Sequence, residues 1–239
     1  YVIPGSHDFS ASGKTMLDVL ENAGLIYNVM KFNENKLQFT VDRTGTKITG
    51  FYGKKGGLEI SEYENLEKEH LEEETGFKIF MFHSLLDELK PPKFGLIKAT
   101  PIKFLPKNFN YYAGGHPHFV YNKLHKDYGI IAYPGPIFPN NFQELEELKS
   151  GGFFIVDVNN EINTEYIKLD IIPVSSYNIN ADNKTPQEVE NEILLAINDF
   201  ENKIITLRIH GCLKEGKISD INFKHISERL EKSYCFLKN

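Results

Sequence analysis

Apolar positions along the chain follow two rhythms. Residues 14–23 place Met16, Leu17, Val19, Leu20 and Ala23 at helical spacing, and Gly24 ends the pattern, which predicts a short helix. Ahead of it, Tyr1-Val2-Ile3-Pro4 reads as a buried strand that stops at Pro4-Gly5. Residues 25–32, 36–42 and 46–53 are strand-like, separated by Asn and Gly turns. The Glu-rich segment 58–70 has helical spacing and predicts an exposed helix. A nearly continuous apolar run at 76–84 predicts a buried strand with His83 at its C-terminal tip, followed by a short helix broken at Pro91-Pro92. Tyr111-Tyr112-Ala113 predicts another buried strand, ended by Gly114-Gly115, with His116 and His118 in the turn beyond. Segment 128–141 reads as a strand entering a Pro-rich loop, 142–150 as a short polar helix or loop, and 151–159 and 165–174 as two further strands.

After Pro173 the pattern changes. Residues 173–185 are polar and turn-rich and read as a linker. An amphipathic helix follows, with Val189, Ile193, Leu194 and Ile197 on one face and Pro186 in its first turn. A strand over 201–211 and a strand or turn then helix over 218–232 complete a small α+β unit. Strands with interspersed helices predict a layered α/β architecture, with a larger domain over 1–172 and a small domain over 186–239. Tyr1 is not Met, and the chain opens inside a strand pattern, so the expectation is the C-terminal portion of a longer protein.

Composition narrows the function classes. The 239 residues are 41% hydrophobic and 25% charged, ordinary for a globular protein. The net charge of −6 removes bulk attraction to nucleic acid, so any such binding rests on a local patch or on bound cations. Two cysteines, Cys212 and Cys235, without a C-x-x-C pair, fit a reducing cytoplasm. No apolar run reaches the roughly 18 residues of a membrane span.

Ser12-Gly13-Lys14-Thr15 resembles the end of a phosphate-binding P-loop, yet the first glycine of that pattern falls on Asp8. A carboxylate there opposes phosphate, so Lys14 and Thr15 read as ordinary first-turn residues. The chemistry lies elsewhere, in three motifs with one grammar: an apolar strand, then metal-ligand side chains at its tip. Gly5-Ser6-His7-Asp8, Phe82-His83-Ser84 and Gly114-Gly115-His116-Pro117-His118 follow in that order. Imidazole is a common ligand for zinc-like and manganese-like ions, and paired glycines let backbone approach closely. His70, His125, His210 and His225 lack this context and read as packing or surface residues.

These motifs resemble the G-N-H-[DE], single-His and G-H-x-H blocks of the calcineurin-like metallophosphoesterases. Within that superfamily, 1–174 is most similar to the archaeal double-strand-break repair nucleases of the meiotic-recombination-eleven type, called SbcD in bacteria, and ITLRIHGCLKEGKISDI resembles their small capping domain. The resemblance implies a β-sandwich flanked by helices. It also implies Mn²⁺, two ions in the intact site, 3′→5′ exonuclease and single-strand endonuclease activity on DNA, a homodimer, and a partner ATPase of the SMC-like SbcC type. By resemblance, His83, His116 and His118 are metal ligands and Ser6 stands where the family has Asn. His7 serves the leaving oxygen, and Asp8 orients His7. Met16, Val19 and Leu20 fall where the family places dimer helices, while their apolar face reads equally as core, which is the reading preferred here. The family's D-x-H and G-D-x-x-D blocks do not occur in this chain. Their carboxylates bridge the two ions, so the chain is expected to hold Mn²⁺ weakly and to cleave DNA slowly. Two alternatives stand beside this one: a metallophosphoesterase acting on a small phosphodiester, and a non-catalytic scaffold for DNA and ATPase.

Overall fold

The apolar runs of the first half become one sheet in the computed structural model, which describes residues 1–8, 15–159 and 161–239. The chain divides into two compact units, Tyr1–Gly135 and Pro136–Asn239. That division falls well before residue 172, where the sequence pattern placed the end of the larger domain.

In the first unit a hairpin, β1 (Lys31–Asn33) and β2 (Lys36–Gln38), turns on Glu34 and Asn35, both at positive φ as a two-residue hairpin loop requires. The main sheet contains β3 (Thr40–Val41), β4 (Lys47–Phe51), β5 (Lys78–His83), β6 (Tyr111–Gly115), β7 (Val120–His125) and β8 (Gly129–Pro134). Their order is β3-β4-β5-β6-β8-β7. Strands β4, β5, β6 and β8 run parallel, and β3 and β7 close the edges antiparallel. The fold class is therefore mixed α/β, as the pattern predicts. Register sets Phe51 beside Phe82 and His83 beside Gly115, so three parallel strands end side by side.

Aromatic side chains hold this sheet. Phe80, Phe82, Tyr112, Ile131 and Tyr133 are buried in one cluster with Phe51, Tyr63 and Leu71. Each such side chain removed from water stabilises the fold by about 1.5–3 kcal/mol. Phe80, Phe109 and Tyr112 meet edge-on or tilted at 5.4–6.2 Å, the separations aromatic pairs prefer. Lys78 is buried too. Its ammonium donates to the carbonyls of Leu71 and Glu72, capping a helix end, and sits 4.9 Å from the Phe109 ring centre.

The helices differ from the sequence expectations in instructive ways. The first, α1 (Met16–Asn22), forms where predicted and is started by a capping box between Thr15 and Asp18. Lys14 lies outside the described residues. Met16 and Val19 are 70% and 60% exposed and Leu20 is half-buried, which overturns the reading of these three residues as core. The single exposed helix expected over 58–70 is two short helices, α2 (Glu59–Glu64) and α3 (Glu69–Glu73), and Glu59, Tyr63 and Leu71 are buried. A charged residue, Glu59, faces inward because it has buried partners, which no periodicity reveals. Residues 1–4 form no buried strand: Val2 makes a single parallel bridge to Asn28 and Tyr1 is exposed. The segment after β5 carries a 3₁₀ turn at Asp87–Leu89 in place of a short α-helix, and β7 was not anticipated.

The second unit contains α4 (Phe142–Leu148), the hairpin β9 (Gly151–Val158) and β10 (Ile162–Leu169), then β11 (Val174–Asn180), α5 (Pro186–Ala196), β12 (Ile204–His210), α6 (Phe223–Arg229) and β13 (Cys235–Lys238). The last three strands form a parallel sheet with helical crossovers. Val189, Ile193, Ile197, Ile205, Leu207 and Ile226 form its core. Strand β11 replaces most of the expected linker. Its Ser and Asn residues hid it, yet Ile179 is buried and Thr206 Oγ1 donates to Ser176 Oγ across the pair. Among the described residues no helix is long and apolar enough to cross a membrane.

Candidate functional site

The three histidine motifs come together at the C-terminal ends of β4, β5 and β6, where open parallel sheets place ligands. Strand β5 ends on His83, and β6 ends on Gly115 with His116 next. The rings of His83 and His116 meet edge-on, centroids 5.2 Å apart. The N-terminal loop joins them because Gly53, just past β4, donates its N–H to the carbonyl of Pro4. That bond sets Gly5 against His83: a Cβ on Gly5 would lie 3.0 Å from Cε1 of the His83 ring.

Three glycines make room for the His83 ring. A Cβ on Gly53 would come within 2.5 Å of His83 Cδ2 and of its carbonyl oxygen, and one on Gly115 within 2.9 Å of Nδ1. Real side-chain atoms do not approach as closely as at Gly53, where backbone stands in the way, while a Cβ at Gly115 or Gly5 would press on the His83 ring. His116 holds φ at +88°, a left-handed conformation that costs a non-glycine residue about 1–2 kcal/mol.

Two tyrosines fix the backbone on either side of the His83 ring. Tyr63 Oη accepts the His83 N–H and donates to the carbonyl of Phe51, tying β5 to β4. Tyr133 Oη donates to the carbonyl of Ser84 and accepts the N–H of Leu86. Burial raises both phenols above their usual range, so they stay protonated donors.

Burial pushes the His83 imidazole down to about 4, with further repulsion from His116, His118 and His7 that Asp8 partly offsets. His116 is lowered as well, chiefly by desolvation of its ring, against a raising pull from Glu59. His83 and His116 are therefore held as neutral imidazole at neutral pH, the form that ligates metals.

Ser6 is buried, while His7, Asp8, His116 and His118 are exposed and His83 is half-buried. Asp8 folds back on its own loop. Its Oδ2 accepts the N–H of Gly5 at 2.8 Å, and its own N–H donates to the Gly5 carbonyl, so the carboxylate closes the loop on itself. Asp side chains habitually bond nearby backbone in this way. Among the described residues, no three His, Cys, Asp or Glu side chains form a ready ligand group. The donor set fits the beginning of a coordination shell for an imidazole-binding divalent ion, the His83–His116 pair, without a bridging carboxylate.

Several residues of this site escaped the sequence patterns: Gly53, Glu59, Tyr63 and Thr100. Glu59 Oε2 accepts the N–H of Lys54 and Oε1 accepts Ser84 Oγ–H, while Ser84 Oγ also meets Thr100 Oγ1 at 2.7 Å. The run Tyr52–Gly57, with three glycines at a strand end, was the signal that would have found this loop. The four histidines set aside in the sequence do have structural partners: His70 the Leu37 carbonyl, His125 Tyr121, His210 Asn178 and His225 Glu190.

Comparison of the chain with protein-family models and with curated proteins gave no match.

Proposed function

We propose that this chain carries the imidazole side of a metal-dependent phosphodiesterase site and belongs to a DNA double-strand-break repair nuclease of the calcineurin-like metallophosphoesterase type. The observation that carries the reading is the edge contact of His83 and His116 at the tips of neighbouring parallel strands, with the Gly5–Asp8 loop laid against it. His83 and His116 would hold Mn²⁺, with His118 and Ser6 as further donors. A bound Mn²⁺ supplies Lewis-acid charge at a scissile phosphate, which lets an acidic chain engage DNA. His7, exposed at the loop tip, delivers a proton to the leaving oxygen. The lowered basicity of His83 and His116 leaves these two rings ready to ligate without first releasing protons. With no D-x-H or G-D-x-x-D block to bridge a second ion, the chain holds Mn²⁺ weakly and cleaves slowly. Its finer architecture in this reading is a nuclease sandwich followed by a small capping domain, working as a homodimer with an SMC-like ATPase of the SbcC type in the cytoplasm.

The test pairs Mn²⁺ titration by calorimetry with cleavage of linear duplex and circular single-stranded DNA. Weak Mn²⁺ binding and slow cleavage, both abolished in His116→Ala and cleavage alone reduced in His7→Gln, are expected. Two tightly held ions per chain would refute the weak-site reading. Turnover of an aryl phosphodiester without any action on DNA points to a small substrate instead, and metal-independent DNA binding to a scaffold.

A further inference from the structure

The histidine cluster has a buried carboxylate behind it. Glu59 is 3% exposed and lies on the same helical face as Tyr63, one turn away, so both side chains of α2 reach the end of β5. Tyr63 takes the His83 N–H, and Glu59 takes the hydroxyl of Ser84, the next residue. The Glu59 carboxylate is itself fixed at both oxygens, by Lys54 N–H at 3.2 Å and Ser84 Oγ–H at 3.1 Å. Both of these donors are neutral groups, a backbone N–H and a hydroxyl. The Glu59 charge acts on His116 across the site. Burying a carboxylate is costly, and the fold retains one behind the histidine cluster.

Resting on the metal-site reading above, we propose that Glu59 is a positioning residue for the bound divalent cation. It fixes the turn after His83 through Ser84 and places a buried carboxylate, at one remove, behind the ligating histidines. It touches no ligand atom itself. Carboxylates placed behind histidine ligands raise metal affinity by about 10–100-fold, by orienting the rings and by their field. Burial strengthens that field, since little water intervenes to screen it.

The experiment is Mn²⁺ affinity, read by calorimetry and by the Mn²⁺ EPR signal, on the full chain and its Glu59→Gln variant, with unfolding midpoints measured on both. Gln keeps an acceptor oxygen and removes the charge. A Kd raised tenfold or more, with the midpoint close to that of the parent chain, is the expected result. Equal affinities overturn the proposal and leave Glu59 as a packing residue. Should Glu59→Gln fail to fold, Glu59→Asp carries the test, because it keeps the charge while drawing back from Ser84. Affinity within threefold of the parent supports the electrostatic role, and a tenfold loss refutes it. Failure of the underlying reading looks different: there the parent chain binds no Mn²⁺, or His116→Ala binds as the parent does.

Discussion

Gly53→Ala inserts a single carbon where the strand ends leave none. Its Cβ would lie 2.5 Å from both Cδ2 and the carbonyl oxygen of His83. Ordinary contact between such atoms is about 3.5 Å, so about 1 Å of displacement is required. The carbonyl belongs to backbone that Tyr63 and Tyr133 pin on both sides, so that atom cannot retreat alone. The imidazole cannot swing freely either, because Gly5 and Gly115 crowd its other edges. The backbone of Gly53 is not in the left-handed region, so the penalty is steric, not conformational. Overpacking of this kind costs about 1–3 kcal/mol. If the ring ligates a metal as proposed, a displacement of about 1 Å costs on the order of 100-fold in the reaction. Urea unfolding of Gly53→Ala and of the parent gives the first quantity, and Mn²⁺-dependent phosphodiester cleavage gives the second. Gly45→Ala, at φ +87° with open space around it, is the control and costs only backbone strain of about 1 kcal/mol. If Gly53→Ala is as stable and as active as the parent, the crowding around His83 does not constrain the site and the steric argument is wrong.

The other expectations concern the same residues. His83 sits at about 4 when folded against 6.5 in its ordinary state, so the unfolded chain binds more protons between those values. The stability this neutral burial allows is present above pH 6.5 and is lost as pH falls toward 4, by up to about 3 kcal/mol. His83→Gln flattens that part of the stability profile in urea titrations run at stepped pH, and an unchanged slope refutes the assignment. Tyr63→Phe strands the His83 N–H and the Phe51 carbonyl, and costs about 1–3 kcal/mol in the same unfolding assay. A loss under about 0.5 kcal/mol would show that water takes the place of the phenol.

Except for β7, the strands of the first sheet were legible because apolar side chains recur there in short runs, and the histidine tips were legible because each stands directly after such a run. What failed to show was anything held by a partner distant in sequence. Glu59 looked like one more acid of an exposed helix, and its burial depends on Ser84 and on a backbone N–H of the preceding loop. Strand β11 looked like a linker because serines and asparagines fill it, and its pairing with β12 comes from a strand about thirty residues onward. Met16 and Val19 failed in the opposite sense: helical spacing predicts an apolar face but not what covers it. The bond from the Gly5 N–H to Asp8 was equally invisible, because a local turn leaves no periodic mark.

His116, the non-glycine residue held at φ +88°, sets the fold and the site in opposition. Glycine or asparagine would occupy that backbone more comfortably. A library of this protein sorted only for resistance to heat or protease should therefore discard the imidazole at 116 early, gaining folded lifetime with each generation. A library sorted for phosphodiester turnover should keep it. The two lineages would part at this residue first, which makes position 116 a record of which demand shaped the chain.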